Sequence, residues 1–299
     1  MMNMLVDTDA LFEKLRSGSP ILQRVAISEL LQTCDPQAVE PLADVIRSTS
    51  RGVGVEAARL LAKIGEPSVS TLIQLLSEDN HDVWALASAT LLMIGTKAVP
   101  GLMDAARSRS VQLQTLAIAV LGQIGDSRPV ALLVNALQSD EQSLQTAAAV
   151  ALIRIGAAAV PPLLEVMAAF DKPTSRRMAI EILKQIGEEA IDPLIHALYE
   201  ASDLERNQAS WMLGEIGGSA TERLLSALYS NDTQVRYAAA LALGQMRSEV
   251  AIPDLIKRLD DEAFSSTTGQ RVCDAAAIAL ERINKPSASA AIKGWRGKH

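Results

Sequence analysis

The residues best able to hold a metal or act as nucleophiles are three histidines and two cysteines, and their spacing decides whether they do. His81 falls in a turn, His196 on a helix and His299 at the chain end, so no two share a helix face. Cys34 and Cys273 match no metal or redox spacing and read as incidental thiols in a reducing cytosol. Glu188–Glu189 and Asp260–Asp261 are paired acids, but adjacent acids beside turns read as solvated helix caps. Every glycine motif sits where a helical pattern ends, so none reads as a phosphate cradle. "NDT" at 231–233 fits a glycosylation sequon and carries no meaning in a cytosolic protein. The expectation is a chain with no catalytic residues, no metal site and no cofactor.

Charge narrows the partners. The 299 residues carry a net charge of −7 with both signs mixed and no basic block, which argues against nucleic acid or an anionic membrane as partner. The opening "MMNMLVDTDALFEKL" has acids where a secretory leader needs bases. The most apolar run, 147–164, is broken by Arg154, Gly156 and Pro161–Pro162, where a span needs about 20 uninterrupted apolar residues. Apolar residues make up 48 % of the chain but aromatics only 3 %, so many close helix contacts must replace one thick core. The expected setting is cytoplasmic, as a monomer.

What positions these side chains is a repeat. Ile-Gly recurs at 64–65, 94–95, 124–125, 155–156, 186–187 and 216–217, with degenerate copies at Cys34–Asp35, Met246–Arg247 and Ile283–Asn284. Counting from the first residue of each anchor, leucine stands at −3 in all nine copies, from Leu31 to Leu280. Alanine stands at −7 in eight of the nine, and leucine at +8 in seven, among them Leu42, Leu132 and Leu224.

Each unit reads as two helices of about a dozen residues. Helix A follows the anchor, with proline in its first turn where a missing N–H costs nothing. A polar turn such as "SEDN" (77–80) or "SNDT" (230–233) leads to helix B, which ends at the anchor glycine. Positions −11, −7, −4, −3 and 0 of helix B form one face toward helix A. Positions −6 and −2 flank the next unit and are often small, as at Ala58, Ser210 and Ala240, or Gly122, Gly214 and Gly244. Such thin helices are stacking elements, and stacked pairs form a quasi-one-dimensional solenoid.

The pattern resembles the HEAT-repeat class, and within it the short bacterial HEAT-like repeat of phycobilisome lyases. Its signature, roughly VRxxAAxALGxIG followed by AVxxL, is matched by "VRYAAALALGQM" (235–246) and more loosely by "ERNQASWMLGEIG" (205–217). The resemblance runs from about residue 8 to 299. It implies an all-α, right-handed α-solenoid of about nine repeats with a 30–31 residue period. Residues 1–299 then form a single domain: repeat 1 is an N-terminal cap, 260–270 an inserted loop in repeat 9, and 286–299 a C-terminal half repeat.

In that class helix B lines the concave side, which would place positions −9, −8, −5 and −1 on the inner surface. They are charged in repeat 2 (Val55, Glu56, Arg59, Lys63) and then turn apolar. Leu86 and Met93 stand in repeat 3, Leu116 in repeat 4, Val150 and Arg154 in repeat 5, and Arg177 and Met178 in repeat 6. Trp211 follows in repeat 7, and Tyr237 and Leu241 in repeat 8. Trp84 stands at −10, where Arg24, Arg176, Arg206 and Arg236 read as structural partners of turn acids such as Asp203 or Asp232. A charge-poor face with Trp and Tyr is the type of surface that binds partners. The competing reading is a superhelix wound tightly enough to make these residues ordinary core.

Two functions follow. One is a non-enzymatic scaffold or adaptor that binds a protein partner on the concave face. The other, implied by the resemblance, is a bilin lyase or chaperone-like factor acting on phycobiliproteins, with Arg154 or Arg177 meeting the pigment propionates. The iron-dependent HEAT-repeat hydroxylases use repeated His-Glu pairs, which this chain lacks, and the HEAT-like DNA glycosylases use a basic groove.

Overall fold

The computed structural model describes residues 8–48, 51–168, 173–266 and 268–297. The opening segment 1–7, position 267 in the inserted loop and His299 lie outside the described residues.

Nine helix pairs and a terminal helix follow the period, and the fold is an all-α solenoid of the kind the repeat implies. The A helices are Thr8–Arg16, Val39–Ser48, Val69–Leu76, Val99–Ala105, Val130–Ala136, Val160–Ala168, Ile191–Glu200, Thr221–Ala227 and Ile252–Arg258. The B helices are Pro20–Thr33, Arg51–Ile64, His81–Ile94, Val111–Ile124, Gln142–Ile155, Pro173–Ile186, Asp203–Ile216, Thr233–Gln245 and Val272–Ile283, and Pro286–Arg296 closes the chain. A helices hold only 7 to 10 residues, fewer than the dozen expected, because a short 3-10 turn takes over the first residues after most anchors. The polar turns work as caps: Asn80 accepts the amides of Asp82 and Val83, and Asp232 accepts that of Gln234.

The anchors end helix B as the sequence predicts. Gly65, Gly95, Gly125, Gly156, Gly187 and Gly217 all have φ between 64° and 84°, the conformation glycine adopts without penalty. Where glycine is missing, another residue takes the strain. Arg247 and Asn284 sit at φ 51°, and in repeat 1 Cys34 adopts φ 49° one residue early, so Asp35 is free to cap the following turn. Repeat 5 departs too: the Gly125 that precedes it is followed by an irregular turn, and the fully buried leucine is Leu133, with Leu132 only half-buried.

By contact the chain divides into two compact units, 1–151 and 152–299, with the boundary in the last turn of helix B of repeat 5. In the first unit the −7 alanines Ala57, Ala87, Ala117 and Ala148 are fully buried. A Cβ on Gly122 would lie 2.5 Å from both Cα and Cβ of Ala151 in the next helix B. Polar links repeat with the period: Arg24 to Glu56 at 3.1 Å, Arg47 to Glu78 at 2.7 Å and Thr71 to Glu40 at 2.7 Å.

The second unit is built the same way. A Cβ on Gly244 would meet Ala279 Cα at 2.4 Å, and one on Gly214 would meet the Gln245 side chain at 2.8 Å. Ser210 donates to Ala238 O at 2.7 Å, Lys184 pairs with Glu215 at 2.6 Å, and Ser219 donates to Glu188 at 2.5 Å. One acid of the Glu188–Glu189 pair therefore ties two repeats together.

Two stretches, His81–Ala105 and Gln142–Ala168, are long and apolar enough by composition to cross a membrane. Each is a B helix, a 3-10 turn and an A helix, interrupted by Gly95 or Gly156 at positive φ.

Candidate functional site

In four repeats, position −10 of helix B carries a donor that returns to the turn just passed. Arg206 Nε donates to Leu198 O at 2.7 Å, Arg236 Nη1 to Ser230 O at 2.9 Å, and Gln145 Nε2 to Ser139 O at 2.6 Å. Trp84 Nε1 does the same to Glu78 O, with its ring tilted against His81. Trp84, expected among the partner contacts, is half-buried: it replaces arginine's bulk but keeps the N–H that ties helix B to the end of helix A.

The expected ion pairs divide. Arg206 reaches Asp203 at 2.6 Å, whereas Arg236 passes over Asp232 and pairs with Asp261 at 2.8 Å. Both side chains of the second pair are nearly buried, 12 % and 13 % exposed. Burial pushes the Asp261 carboxyl up, but the Arg236 guanidinium and the Ala263 amide outweigh it and hold the group below its ordinary value.

That pair anchors the 260–270 loop, which folds back along helix B of repeat 8. Ser265 Oγ donates to Gln234 Oε1 at 2.7 Å, Gln234 Nε2 donates to Ser266 Oγ, and Tyr237 O–H donates to Gln270 Oε1. Tyr237 is left 5 % exposed. Placed on an open face by its repeat position, it is instead a buried contact of the loop.

The remaining face residues differ by unit. In the first, Met93 (54 % exposed) and Val150 (46 %) stand open, while Leu86 and Leu116 are half-buried. In the second, Arg154 and Arg177 are exposed, and Met178, Trp211 and Leu241 half-buried.

Trp211 is where the second unit hollows out. A cavity of about 610 Å³ is lined by Pro173, Arg176, Arg177, Ile180, Asn207, Gln208 and Trp211. A second, of about 320 Å³, is walled by Asn207, Ser210, Trp211, Tyr237, Leu241 and Thr268 among others. The indole and Asn207 line both. Lys184 Nζ lies 5.9 Å from the Trp211 ring centroid while paired with Glu215. The Lys184 hydrogen bond holds the Glu215 carboxyl below its usual range, against the opposing effect of burial. Sequence reasoning missed Pro173 and Ile180, although a bulky Ile180 at −6, where most copies are small, is a signal that the stacking differs there.

Among the described residues no group of three or more His, Cys, Asp and Glu side chains could hold a metal ion. Cys273 is buried, and burial raises its thiol pKa away from the reactive thiolate.

A family model for HEAT repeats matches residues 8–93, 99–184 and 191–270, and one for the PBS lyase HEAT-like repeat matches 175–200. No curated protein matches the chain. Among solved structures, an engineered protein is 22 % identical over 98 % of this chain and 93 % of its own, with a TM-score of 0.34. Human deoxyhypusine hydroxylase in complex with glycerol is 20 % identical over 85 % of this chain and 99 % of its own, at a TM-score of 0.33. The complex of CpcE and CpcF of phycocyanin lyase from Nostoc sp. PCC7120 is 22 % identical over 58 % and 97 %, at 0.30.

Proposed function

The chain belongs to the HEAT-repeat family, and from that premise we propose that it is a non-enzymatic scaffold whose protein partner docks on helix B of repeats 6 to 8 at Trp211. The observation that carries this reading is the half-buried indole shared by two hollows, of about 610 and 320 Å³. Tryptophan in a partly enclosed setting is the residue type most enriched among binding hot spots. Helices stacked at close range leave the walls little freedom, so association would lose little entropy in ordering them. On this reading the chain works as one repeat domain and as a soluble cytoplasmic monomer.

Site-specific cross-linking tests it. A photo-reactive amino acid at Gln208 should capture one partner from native extract, and the same group at Asp104, on helix A of repeat 4, should not. The Trp211→Glu variant should lose the adduct while keeping its circular dichroism spectrum. Equal capture from both positions, or capture indifferent to Trp211, would rule out this face as the docking site.

A second reading is favoured by one observation: the PBS lyase HEAT-like match covers 175–200, which includes Arg176 and Arg177 of the larger hollow. On it, the groove holds an open-chain tetrapyrrole and the protein acts on phycobiliproteins. Mixing with free bilin would then shift the pigment's visible absorbance; an unchanged spectrum sinks this alternative and leaves the scaffold reading standing.

A further inference from the structure

Among the described residues the larger hollow carries an unbalanced charge. Each acid on the two helices that wall it is already engaged. On Asp203–Ile216, Asp203 is taken by Arg206, Glu205 caps its own helix through Ser202, and Glu215 is held by Lys184 and Gln245. On Pro173–Ile186, Glu181 accepts from Gln185 at 3.1 Å. Arg176 and Arg177, by contrast, line the hollow with no hydrogen-bond or ion-pair partner among the described residues. Two guanidiniums at the mouth of an aromatic-walled cavity, on a chain of net charge −7, are a local cationic site set in an acidic molecule.

The other lining groups specify what accompanies the anion. Trp211, Ile180 and Pro173 offer apolar surface, and the side-chain amides of Asn207 and Gln208 make no hydrogen bond among the described residues. Free amides can donate to and accept from a peptide backbone. Arginine binds carboxylates through a two-pronged fork that lysine lacks. The volume falls in the range of roughly 300–1,000 Å³ that ligand sites occupy.

We infer that this hollow takes an extended acidic peptide segment of the partner, with an Asp or Glu bridged by Arg176 and Arg177 and a neighbouring aromatic or large aliphatic side chain laid on Trp211. The inference rests on the reading of the Trp211 face as a docking site and adds the chemistry of what docks. Because the chain as a whole repels acids, selection comes from contact with the two arginines, and added salt weakens it.

The probe is a library of random peptides displayed on phage and selected on the full-length chain. Enriched peptides should place an acid within a few residues of an aromatic or large aliphatic residue. Synthetic, fluorescently labelled copies should bind the Arg176→Glu, Arg177→Glu double variant about tenfold or more weakly. Replacing the peptide acid by its amide should cost as much against the wild type and nothing further against that variant. Selection repeated on the charge-reversed protein should enrich lysine or arginine in place of the acid, which shows in one step that the variant is folded and that charge is what is read. Two outcomes overturn the inference differently. Apolar peptides that ignore the arginine reversal but are lost with Trp211→Ala would refute the acidic class and leave the docking face intact. Peptides that ignore both changes would refute the face itself.

Discussion

Replacing Gly244 by alanine sets two familiar effects against each other. Alanine is the better helix former, and in an exposed helix the exchange stabilises by about 0.5–1 kcal/mol. Gly244, however, stands where the new Cβ would lie 2.4 Å from Ala279 Cα and 2.7 Å from its Cβ. Carbon atoms in contact need about 3.5–4.0 Å, so the two B helices must part by more than an ångström. The nearest obstruction is backbone, which cannot rotate away as a side chain could. Overpacking of this kind costs about 1–3 kcal/mol, so the net expectation is a loss of about 1–2 kcal/mol. Gly294, in the terminal helix of the same unit, is the internal control: a Cβ there meets nothing within 4 Å. Gly294→Ala should therefore gain about 0.5–1 kcal/mol, where Gly244→Ala loses stability. Equilibrium urea unfolding and thermal melts, both read by circular dichroism, give the comparison. A melting shift of about 2–4 °C per kcal/mol is expected for a unit of this size. If Gly244→Ala unfolds at the wild-type midpoint or above it, close stacking through the small −2 residues is refuted.

A second glycine exchange runs the other way. Arg247→Gly relieves a left-handed residue that costs about 1–2 kcal/mol; after about 0.4–1 kcal/mol of added chain entropy in the unfolded state, melts should show a gain of about 0.5–1 kcal/mol. The Arg236–Asp261 pair gives a pH dependence. Asp261 titrates below its ordinary value in the fold, so its contribution is complete above about pH 4 and is lost as pH falls through the folded value. Asp261→Asn should cost about 1–3 kcal/mol at neutral pH and flatten that acid limb, with limited proteolysis within 260–270 reporting loss of the anchor. An unchanged acid limb in the variant would remove Asp261 as its source.

The stacking was legible in the sequence because a period encodes neighbours at fixed offsets. Buried alanine at −7, glycine at −2 and the left-handed anchor each recur, and each has the role its position implies. What escaped the reading breaks the period. Arg236 finds Asp261, and Tyr237 disappears under Gln270, because the 260–270 loop is an insertion whose path no repeat register describes. Trp84 escaped for a different reason. Position −10 looks like a preference for positive charge, yet what it supplies in repeats 3, 5, 7 and 8 is an N–H donor to the turn, which arginine, glutamine and tryptophan all possess. Arg176, read as one more structural arginine, became a candidate contact because the structure places it on the wall of the Trp211 hollow.

The side-chain bonds that join neighbouring full repeats span between 25 and 33 residues, whether Arg236 to Asp261, Arg24 to Glu56 or Tyr237 to Gln270. That separation is roughly a tenth of the chain, the scale at which topologies fold quickly. Each link closes a loop of similar length, so the entropy lost is about the same at every step and does not grow with the size of the protein. Assembly can then begin at any stable pair and spread in either direction. On a ribosome, each repeat would need only its successor to emerge before it docked.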